Sequence, residues 1–197
     1  MKRWFYMLPI ALLCLLSACK ESGEVGRYDD WKKRNQNFLD SLETVFAQQT
    51  PDAEGRVLKR FNLITEPDEF IYYKVLDPTT DVDPKGGYEY LTGYKRENVK
   101  PTATDQVAVY YRGTLINGDY FDGFEGENPS VADAPLLTYV DSNIILGWKE
   151  TLQHMEVGER WLVYLPHIYG YGSIDKAGIP AYSLLIFDMQ LFEIVDK

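Results

Sequence analysis

The spacing of apolar residues along the 197-residue chain changes period several times, and each change predicts an element. From Trp31 the apolar positions run Trp31, Phe38, Leu42 and Val45, with Leu39 and Phe46 beside them. Gaps of seven, four and three place one stripe on a helix of about five turns, ending near Gln49, where Thr50-Pro51 stops it. Asp29 and Asp30 just ahead are expected to cap it and to place negative charge at its N-terminus. Residues 70–76 are aromatic and β-branched enough for a strand, whereas 77–105 are rich in Pro, Gly, Thr and charge. That tract reads as a long loop with a short ribbon near residues 88–91. Residues 106–115 alternate, Val107, Val109 and Tyr111 on one face and Tyr110 and Arg112 on the other. Asn117-Gly118 follows, a dipeptide favoured by two-residue hairpin turns, and the return strand delivers Phe121 and Asp122. Residues 146–153 form one short helix, with Trp148, Leu152 and Met155 on a single face. Residues 159–165 and 184–194 alternate again. No internal repeat or low-complexity tract interrupts the series. Together these elements predict an α+β fold: a curled antiparallel β-sheet wrapped over one short α-helix, preceded by an amphipathic N-terminal helix. The stripe on that first helix suits either a dimer seam or docking on the chain's own domain, and docking is the favoured expectation.

The first residues follow a different logic. Lys2 and Arg3 precede an uncharged apolar run from Trp4 to Leu16, which small residues and Cys19 then close. The run is short for a permanent span and has the layout of a secretory signal. Leu16-Ser17-Ala18-Cys19 resembles a bacterial lipobox, which implies cleavage before Cys19 and a diacylglycerol on its thiol; an ordinary signal or a retained anchor is the alternative. Of the two cysteines, Cys14 would leave with the signal and Cys19 would be lipidated, so the mature domain would fold without disulfides. The chain has 20 basic and 30 acidic residues, net −10; loss of Lys2 and Arg3 leaves 18 basic ones and a net of −12. Such acidity argues against nucleic acid and anionic lipid as partners, so contact with a bilayer would come through the acyl chains. Lys20 after Cys19 is not the aspartate typical of inner-membrane retention. The expected location is therefore the cell envelope, lipid-anchored, at the outer membrane. The expected segments are a signal over 1–18, tether and helix over 19–50, a first strand and long loop over 51–104, and the core domain over 105–197.

Candidate chemistry concentrates in the second half. Ile144-Ile145-Leu146-Gly147-Trp148, Tyr171-Gly172 and Ile179-Pro180 supply an indole, aliphatic side chains and a tyrosine hydroxyl, with almost no titratable group. An apolar pocket with one or two polar handles suits a reaction that needs no acid, base or metal, and rotation about a prolyl amide is one. Taken singly, Trp148, Phe121 and Phe187 would pass as core, Asp122 as a turn carboxylate and Tyr171 as a loop tyrosine. His154 and His167 lack metal-ligand spacing, Tyr169-Gly170-Tyr171-Gly172 lacks the Lys-Ser/Thr of a phosphate loop, and no serine sits in a nucleophile elbow.

In order and spacing, these residues over 105–194 resemble the FKBP family of peptidyl-prolyl isomerases. The resemblance implies that Trp148, preceded by Ile144 and Ile145, floors the pocket. It implies walls from Tyr111, Phe121, Asp122, Tyr171, Ile179 and Phe187, with the Ile145 amide and the Tyr171 hydroxyl bonding peptide carbonyls. It also implies no cofactor, proline-containing polypeptide clients, macrolide inhibitors of the rapamycin type, and a folding-helper role for exported proteins. Departures are visible too. A second pocket phenylalanine is usual near Leu136, where only Pro135-Leu136-Leu137 stands. The acidic loop 123–134 is long and lacks the arginine that often pairs the aspartate, Thr151 stands where glycine is common, and Gly170 replaces alanine. The lost phenylalanine keeps open a rival reading, a non-catalytic peptide-binding or scaffold lipoprotein on the same fold. In that reading the pocket, or the loop carrying the three tyrosines at 88, 90 and 94, would contact a client; packing on the sheet edge is the blander and favoured use of those tyrosines.

Overall fold

The computed structural model describes residues 26–76, 97–129 and 133–195. The signal, Cys19 and the ribbon expected near residues 88–91 with its three tyrosines lie outside that set. Among the described residues ten elements follow in chain order: α1 (Trp31–Gln48), β1 (Lys59–Asn62), β2 (Phe70–Leu76), β3 (Gln106–Leu115), β4 (Tyr120–Gly123), β5 (Leu136–Tyr139), α2 (Leu146–His154), β6 (Arg160–Leu165), a 3-10 turn (His167–Tyr169) and β7 (Leu185–Ile194). The strands form one antiparallel sheet in the order β1-β2-β6-β7-β3-β4, with β5 also on β3. This is the expected α+β architecture. The short strands β1 and β5 are additions, since four residues carry too little alternation to declare themselves.

Strand alternation decides what each face of the sheet meets. Ile71, Val107, Val109, Val163, Leu165, Phe187, Met189 and Leu191 point to one side and bury Trp148 and Leu152 of α2 and Met155 at its C-cap. Tyr72, Tyr164 and, just before β7, Leu184 point to the other side and pack with Leu42, Phe38, Leu39, Val45 and Phe46 of α1. The stripe on α1 therefore docks on its own domain, and the sheet lies between two helices.

Two local expectations are corrected. Neither aspartate caps α1: the N-cap Asp30 is left-handed (φ 51°) and makes no side-chain cap, while Asp29 accepts the Gly26 N–H at 2.5 Å. A capping side chain needs extended backbone to reach the first free amides, so packing of Trp31 and Leu42, both buried, holds this helix instead. The β3–β4 connection is a three-residue loop rather than a two-residue one. Gly118 donates to the Leu115 carbonyl at 2.9 Å, and Leu115 donates to Asp119 at 2.9 Å. Only Gly118 adopts positive φ (85°), so a turn over Ile116-Asn117 followed by a left-handed glycine closes the hairpin. The same hairpin tethers the chain ahead of α1. Arg27 pairs with Asp119, and the Tyr28 hydroxyl donates to it at 3.1 Å. The Arg27 guanidinium holds the Asp119 carboxyl down at about 2.

Candidate active site

β3, β4, β5, β7, the entry to α2 and the loop after β6 converge on a cavity of about 190 Å³. Tyr111, Phe121, Asp122, Leu136, Ile144, Ile145, Trp148, Tyr171 and Phe187 line it, together with Asn143. Of the residues expected in a pocket, Ile179 alone is absent from this lining. It is buried in the core that carries the site, at the end of a turn bridged between Lys176 and Ile179. Asn143 is the residue that sequence reasoning missed: in Asp141-Ser142-Asn143 it carries only the signal of a turn.

The apolar walls are interlocked rings. Tyr111 meets Trp148 edge-on with centroids 4.7 Å apart, Phe187 meets Trp148 at 5.4 Å, and Phe121 meets Phe187 at 5.6 Å, all close to perpendicular. Such edge-to-face contacts fix ring orientation as well as burying area. Trp148 and Phe187 are only 4% and 3% exposed, so the floor is buried. Gly113 makes this possible, since a Cβ there would stand 2.5 Å from the Phe121 ring. Leu136, at 37% exposure, leaves the wall near β5 aliphatic and open.

The polar groups are few and pre-assigned. The Tyr111 hydroxyl donates to Asp122 Oδ2 at 2.8 Å, and the Gly123 N–H donates to Oδ1 at 2.9 Å. Both carboxylate oxygens thus carry protein donors, one of them from the Tyr111 ring. Burial first, then the Asp122 carboxylate, pushes the Tyr111 hydroxyl well above the usual tyrosine range; burial and Asp122 raise that of Tyr171 as well. Ile145 is the N-cap of α2 with extended backbone (φ −62°, ψ 147°). The N–H of an N-cap residue takes no part in the helix ladder, which leaves it available to an acceptor in the cavity. No histidine, lysine or arginine lines the cavity. Among the described residues no cluster of His, Cys, Asp and Glu could hold a metal. His154 instead stacks on Phe61, with Nδ1 2.8 Å from the Glu150 carbonyl.

An ion pair between a buried arginine and a half-buried aspartate supports the site from outside. Arg160, 5% exposed, grips Asp188 through Nε at 2.7 Å and Nη2 at 2.5 Å, immediately beside Phe187. Its remaining donors reach Asn128 Oδ1 at 2.7 Å and the Glu127 carbonyl at 2.9 Å. The acidic loop that lacks an arginine of its own is therefore held by one from β6. A larger groove of about 530 Å³ between α1 and the loop around His167 and Tyr182 shares no residue with the aromatic cavity. Charged and amide side chains, among them Lys32, Lys33, Gln36 and Asn37, make up much of its lining, in contrast to the ring-walled smaller cavity.

Comparison with known proteins agrees with this geometry. Residues 97–192 match the family described as FKBP-type peptidyl-prolyl cis-trans isomerase. The chain is 36% identical over 110 residues to the FKBP-type isomerase FkpA of Aeromonas hydrophila, covering 56% of this chain and 39% of that one. It is 34% identical over 112 residues to an FKBP-type 22 kDa isomerase of Escherichia coli, covering 56% and 52%. Crystal-structure similarity extends further: FkpA of Escherichia coli superposes with a TM-score of 0.52 at 21% identity, covering 84% of this chain and 62% of that one. An isomerase from Pseudomonas syringae gives 0.51 at 21%, covering 81% and 95%. The matched region spans about half the length, or less, of these sequence relatives.

Proposed function

We propose that this chain, whose residues 97–192 belong to the FKBP-type peptidyl-prolyl cis-trans isomerase family, catalyses rotation about X-Pro bonds of polypeptides. The observation that carries the reading is the closed set of perpendicular rings around a cavity whose one carboxylate is already engaged by Tyr111 and Gly123. A prolyl amide faces a barrier of about 18–20 kcal/mol because planarity preserves its resonance. The planar form also carries the charge separation that water solvates well. A dry aromatic cavity therefore disfavours the planar amide more than the twisted one, which stabilises the transition state without proton transfer. A millionfold acceleration requires only about 8 kcal/mol of such discrimination. Trp148, Phe121, Phe187, Tyr111 and Ile145 would hold the proline ring, with Leu136 and Ile144 at the rim. The Tyr171 hydroxyl and the Ile145 N–H would hold flanking carbonyls, and Asp122 would keep Tyr111 in place. Rapamycin-type macrolides would compete for the same cavity.

The proposed setting is the cell envelope, with Cys19 acylated and the protein tethered to the outer membrane, where exported chains would be its clients. The lipobox-like Leu16-Ser17-Ala18-Cys19 supports this. Docking of α1 on its own sheet supports a protomer that does not use that helix as a dimer seam. A protease-coupled assay on a proline tetrapeptide tests the activity. Acceleration above the uncatalysed rate is expected, whereas peptide binding without turnover would make the chain a recognition module on the same fold.

A further inference from the structure

We propose that the first two turns of α1 set the position of the Tyr171 hydroxyl, making Trp31, Lys32 and Asn35 positioning residues for the peptide-binding site. This rests on the isomerase reading above for its effect on turnover, but the geometry behind it is independent of that reading.

The segment Pro180–Leu184 joins the Tyr171 loop to β7, and α1 grips it at three successive residues. Lys32 places its ammonium 4.2 Å from the centroid of the Tyr182 ring. The Trp31 indole N–H donates to Ser183 Oγ at 2.8 Å, and Ser183 in turn donates to the Pro180 carbonyl at 2.6 Å. The Leu184 N–H donates to Asn35 Oδ1 at 2.7 Å, while Asn35 Nδ2 donates to the Trp31 carbonyl at 2.8 Å. Asn35 is only 4% exposed, so this amide is a buried polar side chain satisfied on both ends. Its purpose is not helix formation, for an asparagine is a poor residue in a helix interior.

What α1 holds is strained. Tyr182 lies at φ 63°, a left-handed conformation that a tyrosine adopts only when its surroundings impose it. In that conformation the Tyr182 N–H donates to the Gly172 carbonyl at 2.9 Å, and the Gly172 N–H donates to the His167 carbonyl at 2.8 Å. The His167 ring meets Tyr182 edge-on at 5.3 Å. Gly172 is thus pinned through both of its backbone groups, one of them by a residue that α1 keeps strained. Tyr171, which lines the cavity, is its neighbour in the chain. The contacts run from α1 through Tyr182 to the Gly172 backbone, and the peptide bond carries them on to Tyr171, whose hydroxyl is proposed to bind a peptide carbonyl.

The test uses the whole protein, with folding checked by circular dichroism. Asn35→Ala strips the Leu184 N–H of its acceptor, Asn35→Asp is isosteric and keeps one, and Val45→Ala loosens only the far end of α1. In spectra of the protein carrying ring-labelled tyrosine, with Tyr171 assigned from Tyr171→Phe, Asn35→Ala should shift or broaden the Tyr171 signal. Asn35→Asp should restore it and Val45→Ala should leave it in place. An unmoved Tyr171 signal in folded Asn35→Ala overturns the inference, whether or not the wild type turns over. On the tetrapeptide, Asn35→Ala should lower kcat/KM by about three- to tenfold, the worth of one neutral hydrogen bond. In a Tyr171→Phe background it should lower it no further, because the effect runs through that hydroxyl. A loss that persists in full without the hydroxyl also overturns it. If Asn35→Ala does not fold, Trp31→Phe, which removes the bond to Ser183 and trims the buried indole to a single ring, takes its place under the same outcomes. A wild type without turnover refutes the isomerase reading and leaves the tyrosine spectra to decide this one.

Discussion

Among single residues, the cavity separates bulk from hydrogen bonding as contributors to rate, and the two can be removed one at a time. Tyr171→Phe keeps the ring and deletes one hydroxyl, so kcat/KM should fall by about tenfold or less. Phe187→Ala opens the floor beside Trp148 and admits water, and should lower kcat/KM further. The same cavity costs about 3–5 kcal/mol of stability, so the comparison holds only for the folded fraction. Asp122→Asn keeps the shape and a bond to Tyr111, and should fall between the two. Activity should be flat between pH 6 and 8. The Tyr111 and Tyr171 hydroxyls are raised above their ordinary range, so the donors persist throughout and would be lost only at strongly alkaline pH. A bell-shaped profile near neutrality, or a folded Asp122→Asn protein with no turnover, would mean acid–base chemistry. Most of these side chains were legible because a run such as Ile144 to Trp148 has a distinctive order. Asn143 was not, since a lone polar residue in a turn has no partner in the sequence to announce it. Ile179 lies in the core that carries the cavity rather than in its lining, and the bridge it makes to Lys176 is one that no spacing reveals.

Elements long enough to show a period were read at nearly their true bounds, as α1, β3 and β7 illustrate. The four-residue strands β1 and β5 escaped because their pairing is decided by β2 and β3, not by their own residues. The hairpin after β3 shows a finer limit: Asn117-Gly118 marks a turn, but whether two or three residues form it depends on which bonds Leu115 makes. The Arg160 clamp was likewise invisible, because Arg160, Asp188 and Asn128 are far apart in the chain and meet only when β6 and β7 pair. Arg160→Met should destabilise the fold by about 3 kcal/mol, the low end for a broken buried pair, since it leaves the half-buried Asp188 without its partner. Melting followed by circular dichroism should show a loss on the order of 10 °C for a domain of this size. A shift of a degree or less would mean that the pair contributes nothing and that loop 123–129 is held by other contacts.

For the whole molecule, α1, one sheet and α2 form three layers, and only the outer layer was uncertain from the sequence. The stripe on α1 fits a neighbour of either kind, and the choice depends on whether the outer face of the sheet is apolar. Tyr72, Tyr164 and Leu184 make it so, which no feature of α1 itself could disclose. The proposed anchoring is a property of the whole chain and has its own test. Cys19→Ala should remain unprocessed at that site and take up no acyl label; a variant that matures normally and still labels with palmitate would remove the lipid from the proposal.

The claim that the aromatic cavity itself speeds prolyl rotation is tested most directly by exchange spectroscopy on a proline tetrapeptide, with no protease present. Free peptide interconverts over tens to hundreds of seconds and gives no exchange peaks at sub-second mixing times. Catalytic amounts of the protein should produce strong cis–trans exchange peaks, which a rapamycin-type macrolide should suppress and folded Trp148→Leu should largely lose. Peptide resonances that shift on addition of the protein without exchange peaks, or exchange peaks of equal strength in Trp148→Leu, would contradict it.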